Sequence, residues 1–275
     1  MKQALLQNRL SGVAIPRAFV VLALKNSENT TKLPGTAICW RANLLYVARK
    51  QSPMHLGDIK DRIPEDLFKI LEKEGITELR PSQEKAINAG LLDYKSLLVC
   101  TPTASGKTLI AELAGVKSIM EGRGKVVYIV PLVALANEKT KEFKRKYEGM
   151  LRVAQSSSDV DSADTYLADY DFIVCTSEKL DSLTRHASPW LKYVKTVIID
   201  EIHLLNDVER GPTLEILITI LKKILTGVQI VGLSATIGNP EELAEWLGAG
   251  LVQDSWRPVK LHRGIHHGGN ILFED

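Results

Sequence analysis

Two groups of residues in this chain have the types and spacing for chemistry on phosphates. Thr101-Pro-Thr-Ala-Ser-Gly-Lys-Thr108 lies between an apolar run and a helical pattern, and Ile198-Ile-Asp-Glu-Ile-His203 places two carboxylates after another apolar run. A loop between a strand and a helix offers backbone N–H groups and the positive helix end to phosphate oxygens. The sequence therefore predicts a phosphate-binding loop, with carboxylates nearby for a metal ion and for water activation.

Each residue of the loop has a predicted task. The backbone of Thr103, Ala104, Ser105 and Gly106 surrounds the phosphates, with glycine at 106 allowing close approach. Lys107 neutralises the β- and γ-phosphates, and the hydroxyl of Thr108 is offered to Mg²⁺. Two facts weigh against this: Gly-Lys-Thr occurs by chance in loops, and Thr101 stands where the usual pattern has glycine. The strand–loop–helix context favours the phosphate loop.

The two acids have separate predicted roles. Asp200 holds Mg²⁺, usually through water, and Glu201 orients and deprotonates the attacking water. The alternative is that they cap a helix, as acids after strands often do. Two adjacent acids after an apolar strand, with a phosphate loop upstream, favour the catalytic interpretation. ATP and Mg²⁺ are therefore the predicted ligands.

The elements that must position these residues form a regular alternation. Unbroken apolar runs are typical of parallel strands buried on both faces, and the helical patterns between them are long enough to cross over. This predicts a doubly wound α/β sheet flanked by helices. The predicted strands are Leu97–Cys100, Val126–Val130, 152–154, Phe172–Cys175, Thr196–Ile199 and Gln229–Leu233; the predicted helices include a short one opening at Ile63-Pro64, Pro81–Ile87, Lys107–Met120, Leu132–Tyr147 and Thr213–Leu225.

A family resemblance rests on these motifs taken together. Asp200-Glu-Ile-His203 and Leu233-Ser-Ala-Thr236 resemble motifs of the DExH-box helicases of superfamily 2, whose motor domains are RecA-like. Gly75-Ile-Thr-Glu-Leu-Arg-Pro-Ser-Gln83 resembles their adenine-reading motif, which implies that Gln83 bonds the adenine edge. The resemblance also implies that Ser234, Thr236 and His203 couple the ATP site to a nucleic-acid groove. A metal-binding role for His203 is disfavoured, because no His or Cys stands at ligand spacing.

Three further stretches resemble the nucleic-acid contacts of that family. Each follows a strand or begins a helix, where backbone phosphate can be bound without reading of base sequence. Each stretch alone is also typical of an ordinary helix cap, and their order and spacing favour the binding role. The implied contact residues are Pro131, Leu132, Thr176, Ser177, Arg210 and Gly211.

A narrower resemblance extends over about residues 64–260. Arg210-Gly-Pro-Thr-Leu-Glu-Ile-Leu217, Gly232–Gly248 and Trp256-Arg-Pro-Val259 are similar to the archaeal repair helicases of the Ski-type branch. That resemblance implies an ATP-dependent helicase that unwinds DNA from 3′ to 5′ at stalled forks and on single strands. Two alternatives stay open: an RNA helicase of the same branch, and a half-motor that binds without turnover.

Composition limits what class of protein this chain can be. Hydrophobic residues make up 45% of the 275-residue chain and charged residues 25%, as in an ordinary globular protein. No apolar run approaches the roughly 20 residues of a membrane helix. Three widely spaced cysteines predict reduced thiols. We therefore expect a cytoplasmic protein without a membrane partner.

The first 53 residues differ from the rest. They carry eight basic side chains and one acid, whereas the whole chain has a net charge of +2, so residues 54–275 are mildly acidic. This segment shows no sustained helical or strand period. Three interpretations compete: a stretch outside the fold upstream of a natural start at Met54, an organelle transit peptide, and a basic arm that contacts a polyanion.

The resemblance implies a second RecA-like domain, which is not recognisable in this sequence. In the family, ATP lies between two such domains, and the second supplies an arginine finger. Residues 54–260 are predicted as the ATP-binding domain and residues 261–275 as a truncated tail. We therefore expect the chain alone to bind ATP·Mg²⁺ weakly and to unwind poorly, and a second domain in the same or another polypeptide to complete the motor.

Overall fold

Short buried strands and longer helices alternate along the chain, as the sequence predicts. The computed structural model describes residues 53–156 and 164–259, together with the backbone of 264–267 and 270–273. The strands are β1 Leu97–Cys100, β2 Lys125–Val130, β3 Val153–Ser156, β4 Phe172–Thr176, β5 Val194–Ile199, β6 Gln229–Ser234, β7 Gly250–Gln253, β8 Gly264–His267 and β9 Asn270–Phe273. The helices are α1 Glu65–Lys73, α2 Pro81–Asn88, α3 Lys107–Met120, α4 Val133–Lys146, α5 Ser177–Arg185, α6 Gly211–Ile224 and α7 Pro240–Leu247.

Seven strands form one sheet in the order β3-β4-β2-β5-β6-β1-β7, and every neighbouring pair is parallel. Parallel strands present all their carboxyl ends at the same edge. In open sheets of this kind, ligands bind outside that edge. The predicted doubly wound α/β sheet is therefore confirmed.

Two hydrophobic clusters cover the two faces of this sheet. Side chains alternate along β1, so that Leu97 and Val99 belong to one cluster and Leu98 and Cys100 to the other. The first cluster packs beneath α1 to α4, and the second beneath α5 to α7. Strands buried on both faces explain why the sequence shows unbroken apolar runs rather than alternation.

Several predicted boundaries move by one or two residues. The strand predicted at 152–154 lies at β3, because the backbone at Arg152 instead bonds Asp171 through its N–H and its carbonyl. The helix predicted from Thr213 begins at Gly211, since proline at the next position is tolerated in a first turn. Pro64 precedes α1 as its N-cap rather than lying in its first turn.

Two strand features were not predicted. β7 is an edge strand with a glycine and a glutamine among its four residues, so it lacks the apolar run that marks the inner strands. β8 and β9 pair as an antiparallel hairpin within the segment predicted as a tail. Residues 1–52 lie outside the described part of the chain, so the interpretations of that segment and the proposed domain division stay predictions.

A search of the described residues for membrane-spanning helices found no helix with both the length and the apolar content to cross a bilayer.

Candidate ATP site and nucleic-acid interface

The predicted ATP-site motifs meet at the carboxyl edge of three neighbouring strands. β5, β6 and β1 lie side by side, and they lead into the Asp200–Glu201 pair, Ser234 and the loop 101–108 respectively. The loop and the acid pair are about 100 residues apart in the chain. Tertiary folding thus brings the phosphate loop and the acids into one cleft.

The loop between β1 and α3 is held in a compact turn by its own polar groups. The hydroxyl groups of Thr101 and Ser105, which are both fully buried, form a hydrogen bond with an oxygen–oxygen distance of 2.7 Å. Ala104 and Gly106 adopt left-handed backbone angles, with φ of 64° and 94°. Threonine at 101, which departs from the usual glycine, therefore serves as an internal brace of the loop.

Lys107 points back over this turn. Its ammonium group donates to the carbonyl oxygens of Thr101 and Pro102, at 3.0 and 3.3 Å. Burial lowers the pKa of Lys107, whereas the charges of Glu201 and Asp200 act in the opposite direction. The lysine therefore lies in the electrostatic field of both acids and is available to an anion that enters the loop.

The start of α2 braces the outside of the same loop. Gln83 is almost fully buried; its amide oxygen accepts from the backbone N–H of Arg80 at 2.8 Å, and its amide nitrogen donates to the Gly106 carbonyl at 3.0 Å. The Ser82 hydroxyl donates to the Ser105 carbonyl at 3.2 Å, and Arg80 Nη1 to the Ala104 carbonyl at 2.6 Å. The adenine contact of Gln83 stays a prediction, and its contact with the phosphate loop is a finding.

Both oxygens of the Asp200 carboxylate are engaged within the protein. Oδ2 accepts a hydrogen bond from the hydroxyl of Tyr128 at 3.0 Å, and Oδ1 accepts from the Glu201 backbone N–H at 3.1 Å. Burial, followed by the charge of Asp200, raises the pKa of Tyr128 well above its usual value. The phenol therefore stays protonated and acts as a donor to the carboxylate.

Glu201 is held in an unusual backbone conformation. Its φ and ψ of 51° and 45° are left-handed, which costs a residue other than glycine about 1–2 kcal/mol. Its carboxylate Oε2 lies 3.2 Å from Nδ1 of His203, an ion-pair distance without hydrogen-bond alignment. Strain of this kind concentrates at functional sites, where surrounding structure maintains it.

Thr108 has a charged neighbour from another helix. Lys139 of α4 places its ammonium 3.5 Å from the Thr108 hydroxyl oxygen and 2.8 Å from a carboxylate oxygen of Glu142. The hydroxyl of Thr108, which is the predicted metal ligand at the start of α3, therefore lies next to α4. Within the described residues, no group of three or more His, Cys, Asp and Glu side chains is arranged to hold a metal ion.

The predicted coupling residues occupy different environments. Ser234 is fully buried at the end of β6, and its carbonyl accepts from the Thr101 backbone N–H at 3.1 Å. Thr236 is exposed two residues further on. No hydrogen bond joins His203 to Ser234 or Thr236 in the described part of the chain, so their joint role stays a prediction.

The predicted nucleic-acid residues come from three segments: residues 131–132 follow β2, residues 176–177 lie where β4 meets α5, and residues 210–211 lie at the start of α6. Of the two strands, β2 lies directly beside β5 of the ATP site. Arg210 Nη1 donates to the Pro131 carbonyl at 3.3 Å, which joins two of the three predicted segments. Gly211 is required next to it, because a Cβ there would lie 2.3 Å from the carbonyl oxygen of Leu205. Leu132 is 46% exposed before the start of α4.

The third predicted segment is less open. Thr176 and Ser177 are 6% and 7% exposed, and the Thr176 hydroxyl oxygen accepts from the Lys179 backbone N–H at 3.4 Å as the N-cap of α5. The helix-cap interpretation therefore describes Thr176 in this structure. Its contact with nucleic acid, like that of Ser177, stays a prediction.

Comparison with known proteins decides the family. The DEAD/DEAH box helicase family matches residues 80–243, which is more than half of the chain and includes the phosphate loop, both acids and Thr236. The chain belongs to the DEAD/DEAH box helicase family. The predicted resemblance to the helicases of superfamily 2 is thereby confirmed.

Archaeal DNA helicases are among the relatives of this family member. The chain is 52% identical over 214 residues to the ATP-dependent DNA helicase Hel308 of Pyrococcus horikoshii, covering 78% of this chain and 30% of that protein. It is 53% identical over 214 residues to Hel308 of Methanocaldococcus jannaschii, covering 75% and 18%. The chain therefore spans about a third or less of the length of these relatives.

Solved structures give the same fold. The DUF1998 helicase MrfA bound to DNA matches with a TM-score of 0.63 and 28% identity, over 74% of this chain and 30% of that one. MrfA bound to DNA and AMPPNP matches with a TM-score of 0.62 and 26% identity over the same shares. The predicted RecA-like motor fold is confirmed by these matches.

Sequence reasoning missed three residues of this helicase site. Tyr128 contacts Asp200, Arg80 contacts the loop at Ala104, and Lys139 approaches Thr108. A signal existed for Tyr128, because it is a hydroxyl-bearing residue within an inner strand that is otherwise apolar after Lys125. Arg80 and Lys139 resemble ordinary surface charges in sequence, so only the fold relates them to the loop.

Proposed function

We propose that this chain is the ATP-binding motor domain of an ATP-dependent DNA helicase that moves 3′ to 5′ and acts on forked and single-stranded DNA in repair. The observation that carries the proposal is the meeting of the phosphate loop and the Asp200–Glu201 pair at the ends of β1 and β5, with β6 between them. The Hel308 relatives support DNA as the substrate, since they are about half identical over three quarters of the chain.

The residues of the cleft fit ATP and Mg²⁺. A Cβ at Gly106 would lie 2.3 Å from the amide nitrogen of Gln83, so glycine keeps the loop backbone open at that point. The Thr108 hydroxyl and the Asp200 carboxylate supply hard oxygen ligands, which Mg²⁺ prefers while it keeps several waters. Mg²⁺, when bound, neutralises charge on the phosphate oxygens.

Each side chain then has a distinct task. Lys107, now bonded to loop carbonyls, turns to the β- and γ-phosphates, which are stronger acceptors than neutral carbonyls. Glu201 orients the attacking water and takes its proton. Gln83 joins the base-binding side of the site to the loop through its bond to Gly106. Hydrolysis is thereby sensitive to the position of α2.

DNA contacts and a second motor domain complete the proposal. Arg210, Gly211, Pro131 and Leu132 lie at helix starts that suit backbone phosphate, so recognition is independent of base sequence. A second RecA-like domain, in the same polypeptide or another, closes the ATP site and supplies an arginine finger, worth roughly 10³–10⁵ in turnover.

The direct test is the ATPase activity of the 275-residue chain with Mg²⁺. Hydrolysis is measured without nucleic acid, with single-stranded DNA, and with RNA of the same sequence. Stimulation by DNA above that by RNA supports the proposal. Equal or stronger stimulation by RNA assigns the chain to an RNA helicase. Nucleotide binding without stimulated turnover, even when a second RecA-like domain is supplied, assigns it to a binding module.

Two substitutions separate binding from chemistry. Lys107→Ala removes charge-assisted bonds to phosphate and is expected to weaken ATP binding roughly 10- to 100-fold. Glu201→Gln is expected to keep binding and to lose residual hydrolysis. Lys141→Ala, which removes an exposed lysine of α4, is the matched control and leaves both unchanged.

Unwinding tests the need for the second domain. The chain alone is expected to show little displacement of a strand from forked DNA, because the arginine finger is supplied by the other domain. Processive unwinding by these 275 residues would contradict that part of the proposal. Restoration of unwinding by a second RecA-like domain supplied in the same polypeptide would support it.

A further inference from the structure

Tyr128 is a buried residue of β2 with a specific polar partner. The residue is fully buried, and its hydroxyl donates to Asp200 Oδ2 at 3.0 Å. Tyr128 pairs with Ile198 across the β2–β5 ladder, so it lies on the same face as Asp200, which is two residues after Ile198 and immediately follows β5. The phenol therefore reaches the carboxylate from beneath the cleft, through the apolar core.

The ring of Tyr128 has little freedom to move. It packs against Phe143 of α4 and Phe172 of β4, with both ring centroids 6.2 Å away. Those two rings stack on each other at 4.5 Å, and all three are fully buried. A clamped ring fixes the direction of its hydroxyl, because rotation would force the surrounding side chains apart.

A second tyrosine of the same cluster offers an internal comparison. Tyr147 stacks on Phe143 at 5.9 Å and is also fully buried. Its hydroxyl has no hydrogen-bond partner among the described residues, in contrast to that of Tyr128. Burial of a tyrosine in this cluster thus does not by itself require a hydroxyl partner, and the Tyr128–Asp200 bond is a separate feature.

We propose that Tyr128 is a positioning residue that holds the Asp200 carboxylate in the orientation used for Mg²⁺ with bound nucleotide. This inference rests on the proposed function and deepens it. With Oδ2 fixed by Tyr128 and Oδ1 by the Glu201 backbone N–H, the carboxylate has one direction available. Groups that orient a metal ligand in this way commonly change metal affinity when removed.

The inference also connects the site to the predicted DNA-binding side. Phe143, which clamps the Tyr128 ring, belongs to α4, the helix that begins after Leu132. A shift of α4 would therefore be felt by the ring and, through the hydroxyl, by Asp200. The contact is one physical link between the ATP site and the predicted DNA-binding residues at the start of α4.

The test replaces Tyr128 by phenylalanine in the 275-residue chain. The substitution removes the hydroxyl and keeps the ring that fills the core. Binding of a slowly hydrolysed, fluorescent ATP analogue is measured in EDTA and across a Mg²⁺ titration. We expect the Mg²⁺ concentration that produces half of the maximal change in analogue binding to rise about tenfold. Binding of the analogue in EDTA is expected to be unchanged.

Tyr147→Phe is the matched control, since it removes a buried hydroxyl of the same cluster without touching Asp200. It is expected to leave the Mg²⁺ titration unchanged. Asp200→Asn is the second reference, because the role proposed for Tyr128 passes through Asp200. Adding Tyr128→Phe to Asp200→Asn is therefore expected to produce no further change.

The outcomes separate this inference from the function on which it rests. If nucleotide binding by the unmodified chain does not depend on Mg²⁺, both the proposed function and the role of Tyr128 are overturned. A Mg²⁺-dependent parent with an unchanged Tyr128→Phe variant overturns the role of Tyr128 alone. Loss of binding in EDTA, or equal effects of the two tyrosine substitutions, also overturns it, because either result indicates a general packing role.

Discussion

Arg210 donates a hydrogen bond from Nη1 to the carbonyl oxygen of Pro131 at 3.3 Å, across 79 residues of chain. The two residues belong to separate segments that were each predicted to contact nucleic acid. The guanidinium therefore lies beside the start of α4. Because the guanidinium is planar and rigid, its bond to Pro131 also fixes the direction of its remaining N–H groups. The pair gives the proposed DNA interface a defined position at the carboxyl edge of the sheet.

Arg210→Ala is expected to weaken binding of single-stranded DNA several-fold for all sequences, because a phosphate contact carries no base information. The slope of log affinity against log salt concentration should fall by about one. Fluorescence anisotropy at several salt concentrations measures both quantities. The control is Arg152→Ala, which removes an exposed arginine paired with Asp171 just before β3, at the opposite edge of the sheet. Equal losses in the two variants would contradict a specific role for Arg210.

Gly106→Ala is expected to lower nucleotide affinity at least about tenfold and to destabilise the fold by about 1–2 kcal/mol. Its left-handed φ of 94° disfavours alanine, and the added Cβ would meet the Gln83 amide nitrogen. Gly122→Ala is a matched control, since Gly122 has φ of 68° and open space around its Cβ position. Nucleotide titration and urea unfolding are measured for both. If Gly122→Ala loses a similar amount of stability but binds nucleotide normally, the binding defect of Gly106→Ala is due to the contact with Gln83.

Glu201→Gly is expected to stabilise the fold by about 0.5–1 kcal/mol while abolishing hydrolysis. Glycine tolerates the left-handed backbone at this position, although it costs more conformational entropy on folding. Urea unfolding measures the stability and a coupled phosphate assay measures the hydrolysis. Glu201→Gln keeps the strained backbone, so it should lose hydrolysis without the gain in stability. A Glu201→Gly variant less stable than Glu201→Gln would show that the backbone at 201 is not the source of strain.

Cys100 and Cys175 are expected to resist alkylation in the native protein. Burial raises the pKa of Cys100 to about 11 and that of Cys175 to about 12, so at pH 8 about one thiol in a thousand or fewer is the reactive thiolate. Iodoacetamide labelling at pH 8, followed by peptide mass mapping, scores each cysteine separately. Both should be labelled readily in urea, where the ordinary thiol pKa is restored. Rapid native labelling of Cys100 would indicate that the phosphate loop opens and exposes β1.

The inner part of the fold was predictable because its signals are local. Strands buried on both faces need consecutive apolar residues, and β1, β2, β4, β5 and β6 all show them. The phosphate loop and the two acids were predictable for a similar reason, since each motif is contiguous in sequence. β7 escaped prediction because an edge strand with partly exposed residues has no such run.

The contacts between motifs were beyond local signals. Nothing in the sequence near Gln83 indicates that its amide bonds Gly106, and nothing near Lys139 indicates its approach to Thr108. Threonine at 101 counted against the loop in sequence, yet its hydroxyl joins that of Ser105 and stabilises the turn. Such relationships depend on the relative placement of elements, which a linear pattern does not encode.

The class of fold, the phosphate loop, the acid pair and the helicase family all follow from contiguous residue types and their spacing. The support of Asp200 by Tyr128, the left-handed backbone of Glu201 and the contact of Arg210 with Pro131 depend instead on the folded arrangement. Strand order is the physical reason: it brings the ends of distant strands to one edge, where hydrogen bonds of about 3 Å form between residues far apart in the chain.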